Sequence, residues 1–205
     1  MPPAPAGSPA PTRLATQGAE SNDKKSAAPG GPEWVGRGSS EPAHHGLGRS
    51  RGGWTSKLHL ICDGRGRALS IGLTGGNVND TTMLGPALAE IRVPRRGPGR
   101  PRTTPEHLLG DKGYSSRANR ALLADRGIVV TIPERADQLA NRSRRGRAGG
   151  RPYAFDKDAY KGRNIVERAF NRLKQWRAIA TRYDKKAVNY RAGIVLASTI
   201  IWLTT

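Results

Sequence analysis

The chain has 205 residues, with 35 Lys and Arg against 16 Asp and Glu, a formal charge of +19. That length suits one domain with a tail, and the charge favours a polyanionic partner. A lone cysteine, Cys62, excludes an intramolecular disulfide and fits a reducing, cytoplasmic setting.

The charge is uneven. Residues 1–50 carry five basic and four acidic side chains, which leaves a net +18 on the rest. The same fifty residues hold eight Pro and eight Gly, few large apolar side chains and no sustained periodicity. Such a segment buries too little surface to offset its ordering entropy, so residues 1–48 are expected to be a disordered tail and 49–205 the folded domain. The N-terminus lacks the basic-then-apolar pattern of a signal peptide. The longest apolar stretch, Ala192–Leu203, falls short of the roughly 18 residues a membrane span needs and is read as a buried helix.

Order begins near Trp54. Leu58, Leu60 and Cys62 alternate with Lys57, His59 and Ile61, and Leu69, Ile71 and Leu73 alternate again after Asp63-Gly64, which predicts a β-hairpin. Asn79 or Asp80 caps a helix whose inner face uses Met83, Leu84, Ala87 and Leu88. Residues 92–106 read as a Pro/Gly/Arg loop, and His107–Leu109 as a short strand ending at Gly110-Asp111. Ser115 or Ser116 caps a second helix that Gly127 closes. Ile128–Ile132 is a β-branched buried strand, residues 134–152 a basic Gly-rich loop, and a long helix runs from Asp156 to about Trp176. The order predicts an α/β fold, a mixed sheet with helices on its faces.

Two places carry candidate chemistry. Asp111 ends a buried strand just before a helix, where it can ligate Mg²⁺ or serve as a turn residue holding backbone N–H groups. On the long helix, Tyr160, Arg163, Glu167 and Lys174 fall in one polar stripe about 60° wide at about 100° per residue. Ile165, Val166, Ala169, Phe170, Leu173 and Trp176 form a separate apolar face. The stripe is either a functional ridge or a solvated face with an Arg163–Glu167 pair. Arg95, Arg96, Arg100 and Arg102 make one basic loop, and Arg142, Arg144, Arg145, Arg147 and Arg151 a second; phosphate contact is expected of both. His44-His45 reads as plain loop, and Cys62 as a buried strand residue.

The spacing Tyr160-x2-Arg163-x3-Glu167-x6-Lys174 resembles the Tyr-Arg-Glu-Lys signature of one group of bacterial DDE insertion-sequence transposases. Asp111-Lys112-Gly113-Tyr114-Ser115-Ser116, Ile132-Pro133-Glu134-Arg135 and Gly48-Arg49-Ser50-Arg51-Gly52-Gly53 resemble the same group, over about Glu41 to Leu203. The resemblance implies an RNase H-like fold and DNA transposition by metal-dependent phosphodiester cleavage and strand transfer. Asp111 and Glu167 would be the second and third catalytic carboxylates. They would hold two divalent ions, Mg²⁺ by expectation, one activating water or a 3′-hydroxyl and the other stabilising the departing oxygen. Tyr160, Arg163, Lys174, Arg100, Arg102, Arg144 and Arg145 would contact double-stranded DNA, at the element ends and the target. The resemblance further implies self-association on DNA and a cytoplasmic, nucleoid-associated location, with no membrane role.

The family pattern also calls for a first Asp on a strand before the hairpin. Asp23 is the only Asp there, in an unpatterned context, while Asp63 reads as a turn residue and Asp80 as a cap. The expectation is therefore a domain lacking its first strand and inactive alone, a truncated or frameshifted remnant, with the second of two overlapping frames joined by programmed frameshifting as the alternative. The alternative function is a non-catalytic, basic DNA-binding remnant.

Overall fold

The computed structural model describes residues 45–205 and, as backbone, the segment Thr12–Ala19. The strands are β1 (Thr12–Ala19), β2 (Gly48–Ser50), β3 (Gly53–Cys62), β4 (Ala68–Gly75), β5 (His107–Leu109) and β6 (Val129–Thr131). The helices are α1 (Leu84–Ala89), α2 (Arg117–Asp125), α3 (Ala136–Arg145), α4 (Lys157–Lys161), α5 (Asn164–Lys174), α6 (Arg177–Ala180) and α7 (Ala187–Leu203).

The hairpin forms as its alternation predicts. Leu58 faces Leu73 and Leu60 faces Ile71 across β3 and β4. Asp63 closes the turn: its Oδ1 accepts from the Arg65 and Arg67 backbone N–H groups, and Oδ2 pairs with Arg67 at 2.6 Å. Period-two alternation sends β3 side chains to opposite faces. Leu58, Leu60 and Cys62 pack with Val166, Phe170 and Leu173 of α5 and Tyr190 and Ile194 of α7. Ile61 joins Leu84 and Leu88 of α1, Leu108 of β5 and Leu123 of α2, together with Tyr114, on the other. The protein is a mixed α/β domain with helices on both faces of its sheet.

The sheet runs β4–β3–β1–β5–β6, with β2 adding a short antiparallel ladder at the start of β3. β1 is antiparallel to β3 and parallel to β5, and β5 is parallel to β6. Within the segment expected to be a disordered tail, the structure places a strand. Thr12–Ala19 lies between β3 and β5, paired with β3 from Arg13↔Cys62 to Ala19↔Ser56 and with β5 at Arg13↔Leu109. Its sequence, TRLATQGA, has one large apolar residue, Leu14, so no hydrophobic pattern announces it. Backbone hydrogen bonding to neighbours on both sides specifies it instead, a non-local term invisible to local periodicity. The remaining residues of the 1–44 segment, Asp23 and His44 among them, lie outside the described residues.

Three further expectations change. Residues 134–152 are not simply a loop: they form α3 and a 3₁₀ turn, Gly146–Gly149. Gln138 starts α3 by accepting the Arg135 backbone N–H at 3.1 Å, and Arg142 anchors it to Glu134 at 2.5 Å. The long helix is two helices. Arg163 and Val166 donate to Tyr160 and Arg163 three residues back, so the chain tightens at Gly162-Arg163 between α4 and α5. Trp176 starts α6 and is 41% exposed, off the apolar face. Finally, α7 is apolar but not buried. It buries Tyr190, Ile194, Ala197 and Ser198, while Leu196 and Leu203 are exposed. Among the described residues no helix is long and apolar enough to cross a membrane.

Candidate active site

Asp111 stands two residues past β5, where the strand ends and a 3₁₀ turn, Lys112–Tyr114, begins. The turn-residue reading holds for one oxygen: Oδ1 accepts the Lys112 backbone N–H at 2.7 Å. Buried Tyr114 anchors the turn below it, and Ser116 caps α2 by accepting from Asn119 at 3.1 Å. Ser115, the other cap candidate, is buried and bonds Gln138 of α3 instead.

Glu167 lies in the first turn of α5, whose opposite face packs Val166, Phe170 and Leu173 into the sheet. Arg163 pairs with Glu167 at 2.8 Å, the i,i+4 geometry expected from sequence, with both groups partly exposed. The Arg163 guanidinium also sits over the Tyr160 ring, 5.6 Å from its centroid.

Tyr160 senses both carboxylates. Partial burial pushes its pKa up, Arg163 pulls it down, and both Asp111 and Glu167 push it further up. One phenol thus feels the charge of both carboxylates. The phenol stays protonated there and can donate a hydrogen bond. Lys174 falls two turns beyond Glu167, about 10 Å along the α5 axis at 1.5 Å per residue, and is exposed.

The other expected residues do not all join this group. Arg100 is exposed at the tip of the 92–106 loop, which is pinned by a Val93↔Arg102 antiparallel bridge. Arg102 is committed to Glu106. Arg144 and Arg145 are exposed on the last turn of α3, with Arg144 bonded to Asn141. His45 lies in the loop before β2, its Nδ1 accepting the Leu47 backbone N–H at 2.8 Å. Asp63 is held in the hairpin turn, and Asp80 pairs with Lys57 at 3.0 Å.

β1 bears directly on the missing carboxylate. Arg13 is level with Leu109, so the parallel register brings Ala15 level with Asp111. No residue of TRLATQGA is acidic. Among the described residues no three His, Cys, Asp or Glu side chains gather as a metal site.

Sequence reading missed Phe155, whose ring lies 5.1 Å from that of Tyr160 at 57°. It also missed Tyr153, packed by the guanidinium of Arg120 at 4.0 Å. Both sit in an irregular segment with no periodicity to read. Only their aromatic character next to a basic cluster could have flagged them.

The family described as Transposase DDE domain matches residues 23–202. The chain is 33% identical over 150 residues to the transposase assigned to insertion sequence element IS402 of Burkholderia cepacia, covering 73% of this chain and 64% of that protein. It is 28% identical over 149 residues to the transposase assigned to insertion sequence element IS6501 of Brucella ovis, covering 73% of this chain and 98% of that one. The chain thus spans less than two thirds of the Burkholderia relative.

Proposed function

The chain belongs to the Transposase DDE domain family, and from that membership we propose that it handles DNA in insertion-sequence transposition while lacking cleavage activity by itself. The reading takes the fold as RNase H-like. The strand order β4–β3–β1–β5–β6, with β3 alone antiparallel to its neighbours, supports it.

In this reading Asp111 and Glu167 are two carboxylates of the catalytic set. Arg163, Lys174, Arg100, Arg102, Arg144 and Arg145 hold phosphates of double-stranded DNA as fixed positive charge. The protonated Tyr160 phenol donates to a phosphate or strand-end oxygen. Arg163 meanwhile orients Glu167 from the turn between α4 and α5. Assembly of copies on DNA, in the cytoplasm at the nucleoid, belongs to the same proposal.

A bound divalent metal, Mg²⁺ by family, would supply nucleophile activation and charge neutralisation at the scissile phosphate. The described residues do not fit the two-ion version of that site. Each ion calls for several hard-oxygen ligands. The described residues offer Asp111 and an ion-paired Glu167, and β1 offers none. No cleavage step is therefore assigned to this chain alone. The single observation that carries the proposal is the acid-free strand β1 beside Asp111.

The test is incubation of the purified chain with matched terminal-repeat DNA and Mn²⁺. Retention of the duplex without a cut is expected. Clear 3′-end cleavage that Asp111→Asn abolishes refutes the inactivity. Failure to retain DNA at low salt refutes the DNA-handling role.

A further inference from the structure

A cavity of about 250 Å³ opens between the N-terminus of α2 and the inner face of α3. Arg117, Arg120, Arg142 and Arg145 line it, against a single carboxylate, Glu134. We propose that this cavity is a phosphate site, seating one backbone phosphate of the DNA strand that runs on to Asp111. The inference rests on the DNA-handling reading above and adds a site built from residues outside the Tyr-Arg-Glu-Lys stripe.

The cavity is constructed rather than incidental. Arg120 donates to the Ile132 carbonyl at 2.8 Å and to Ser115 Oγ at 3.0 Å, which fixes its guanidinium across the cavity wall. Arg142 is fixed by Glu134 at 2.5 Å. The Tyr153 ring takes both cations, Arg120 at 4.0 Å and Arg142 at 5.1 Å from its centroid. Gly149 completes the wall, where any side chain would strike the Arg142 carbonyl.

The electrostatics leave the cavity short of negative charge. The Nε–H donors of Arg120 and Arg142 are buried without an acceptor. Buried donors normally find partners, so these two guanidiniums are short of acceptors within the protein. Arg117 and Arg145 are exposed and pair with no carboxylate among the described residues. Burial and the nearby Arg142 charge both push the Arg120 pKa down, against the upward pull of Tyr153 and Glu134. A phosphate oxygen accepts from guanidinium N–H groups in charge-assisted bonds and brings the missing charge. With two arginines inside and two at the rim, the arrangement suits a phosphate within a strand, whose neighbours the rim arginines meet.

Two links join the cavity to the carboxylates. Ser115 stands just past the 3₁₀ turn that starts at Asp111, a rise of about 6–8 Å at roughly 2 Å per residue. On the other side, Tyr153 in the cavity and Phe155 on Tyr160 belong to one short stretch of chain. A strand seated in the cavity therefore has a continuous polar and aromatic path toward Tyr160.

The test uses the whole chain, with a short duplex and inorganic phosphate as separate probes. Side-chain Nε–H signals of Arg120 and Arg142 are followed by nitrogen-edited NMR. Duplex affinity is measured from about 50 to about 200 mM salt for the wild type and for the Arg117→Gln/Arg145→Gln variant. Both changes are at exposed positions, and an unchanged unfolding midpoint confirms that the variant folds. The expected result is movement of both Nε–H signals on adding duplex, with the salt slope of the variant flattened by about one to two. If the wild type binds duplex while neither signal moves, the phosphate site is wrong and the DNA reading stands. If phosphate moves the signals and duplex does not, the cavity holds small anions only and the proposal is overturned. If the wild type does not bind duplex at all, the DNA reading itself fails.

Discussion

Replacing Glu134 by Gln probes how α3 is held to the sheet. Glu134 follows β6 and pairs with Arg142 at 2.5 Å, the side chains being 9% and 18% exposed. An exposed pair contributes about 0–1 kcal/mol, whereas removing one partner of a buried pair costs about 3–5 kcal/mol. The low but nonzero exposure puts Glu134→Gln between these limits, at about 2 kcal/mol. For a domain of this size that lowers the unfolding midpoint by about 4–8 °C. The loss has a specific cause: Arg142 then shares the cavity with Arg120, Arg117 and Arg145 and no carboxylate. Urea unfolding of Glu134→Gln, Arg142→Gln and the double variant gives the coupling energy by a double-mutant cycle. A coupling under about 0.5 kcal/mol would mean that the pair is solvated and that helix propensity, not the ion pair, orders α3. Phosphate in the buffer should shrink the Glu134→Gln loss by supplying the counter-charge, since a ligand bound only by the folded state stabilises it.

Three other outcomes follow from the geometry. His59 is buried, bonds Thr74 at 2.7 Å, and has its pKa pushed down chiefly by burial, with Asp80 pulling up and Lys57 pushing down. The unfolded chain then binds a proton that the folded one refuses, so stability is present above the ordinary value of 6.5 and declines as pH falls below it. Denaturation at pH 7.5 and at pH 5.5 should show this decline reduced in His59→Gln; an identical decline in both proteins would assign it elsewhere. Phe170→Ala empties a core position between α5 and β3 and should cost about 3–5 kcal/mol. A loss under about 1 kcal/mol in calorimetry would place Phe170 outside the core. Asp111→Asn/Glu167→Gln removes two negative charges at the β5 end, so duplex affinity should hold or rise; a tenfold loss in a binding titration would show that these carboxylates shape the DNA surface rather than await a metal.

Much of the fold is legible because its signals are local. The β3–β4 hairpin, the Asp63 turn, the Asn79 and Ser116 caps and the Val166–Phe170–Leu173 face of α5 each follow from residues within a few positions of one another. The Arg163–Glu167 pair is likewise set by i,i+4 spacing. What stayed hidden depends on partners far along the chain. The break at Gly162-Arg163 does not disturb the pair, so a wheel drawn straight through it still groups Glu167 with Arg163; Trp176 is misplaced because α5 ends at Lys174. The basic 134–152 segment reads as loop because its helix is anchored by Glu134 and by Ser115, twenty-three residues from Gln138 in sequence.

The sequence by itself determined the family and the net positive charge, because residue identity and short spacing carry those. The tertiary structure decided where the strand order begins. Thr12–Ala19 has almost no apolar pattern, yet takes the place between β3 and β5 because its backbone pairs along β3 and, at Thr12 and Arg13, with β5. That placement sets a strand without an acid beside Asp111. It likewise gathers Arg117, Arg120, Arg142 and Arg145, scattered over twenty-nine positions, around one cavity. Such convergence is a property of packing, and no window along the chain contains it.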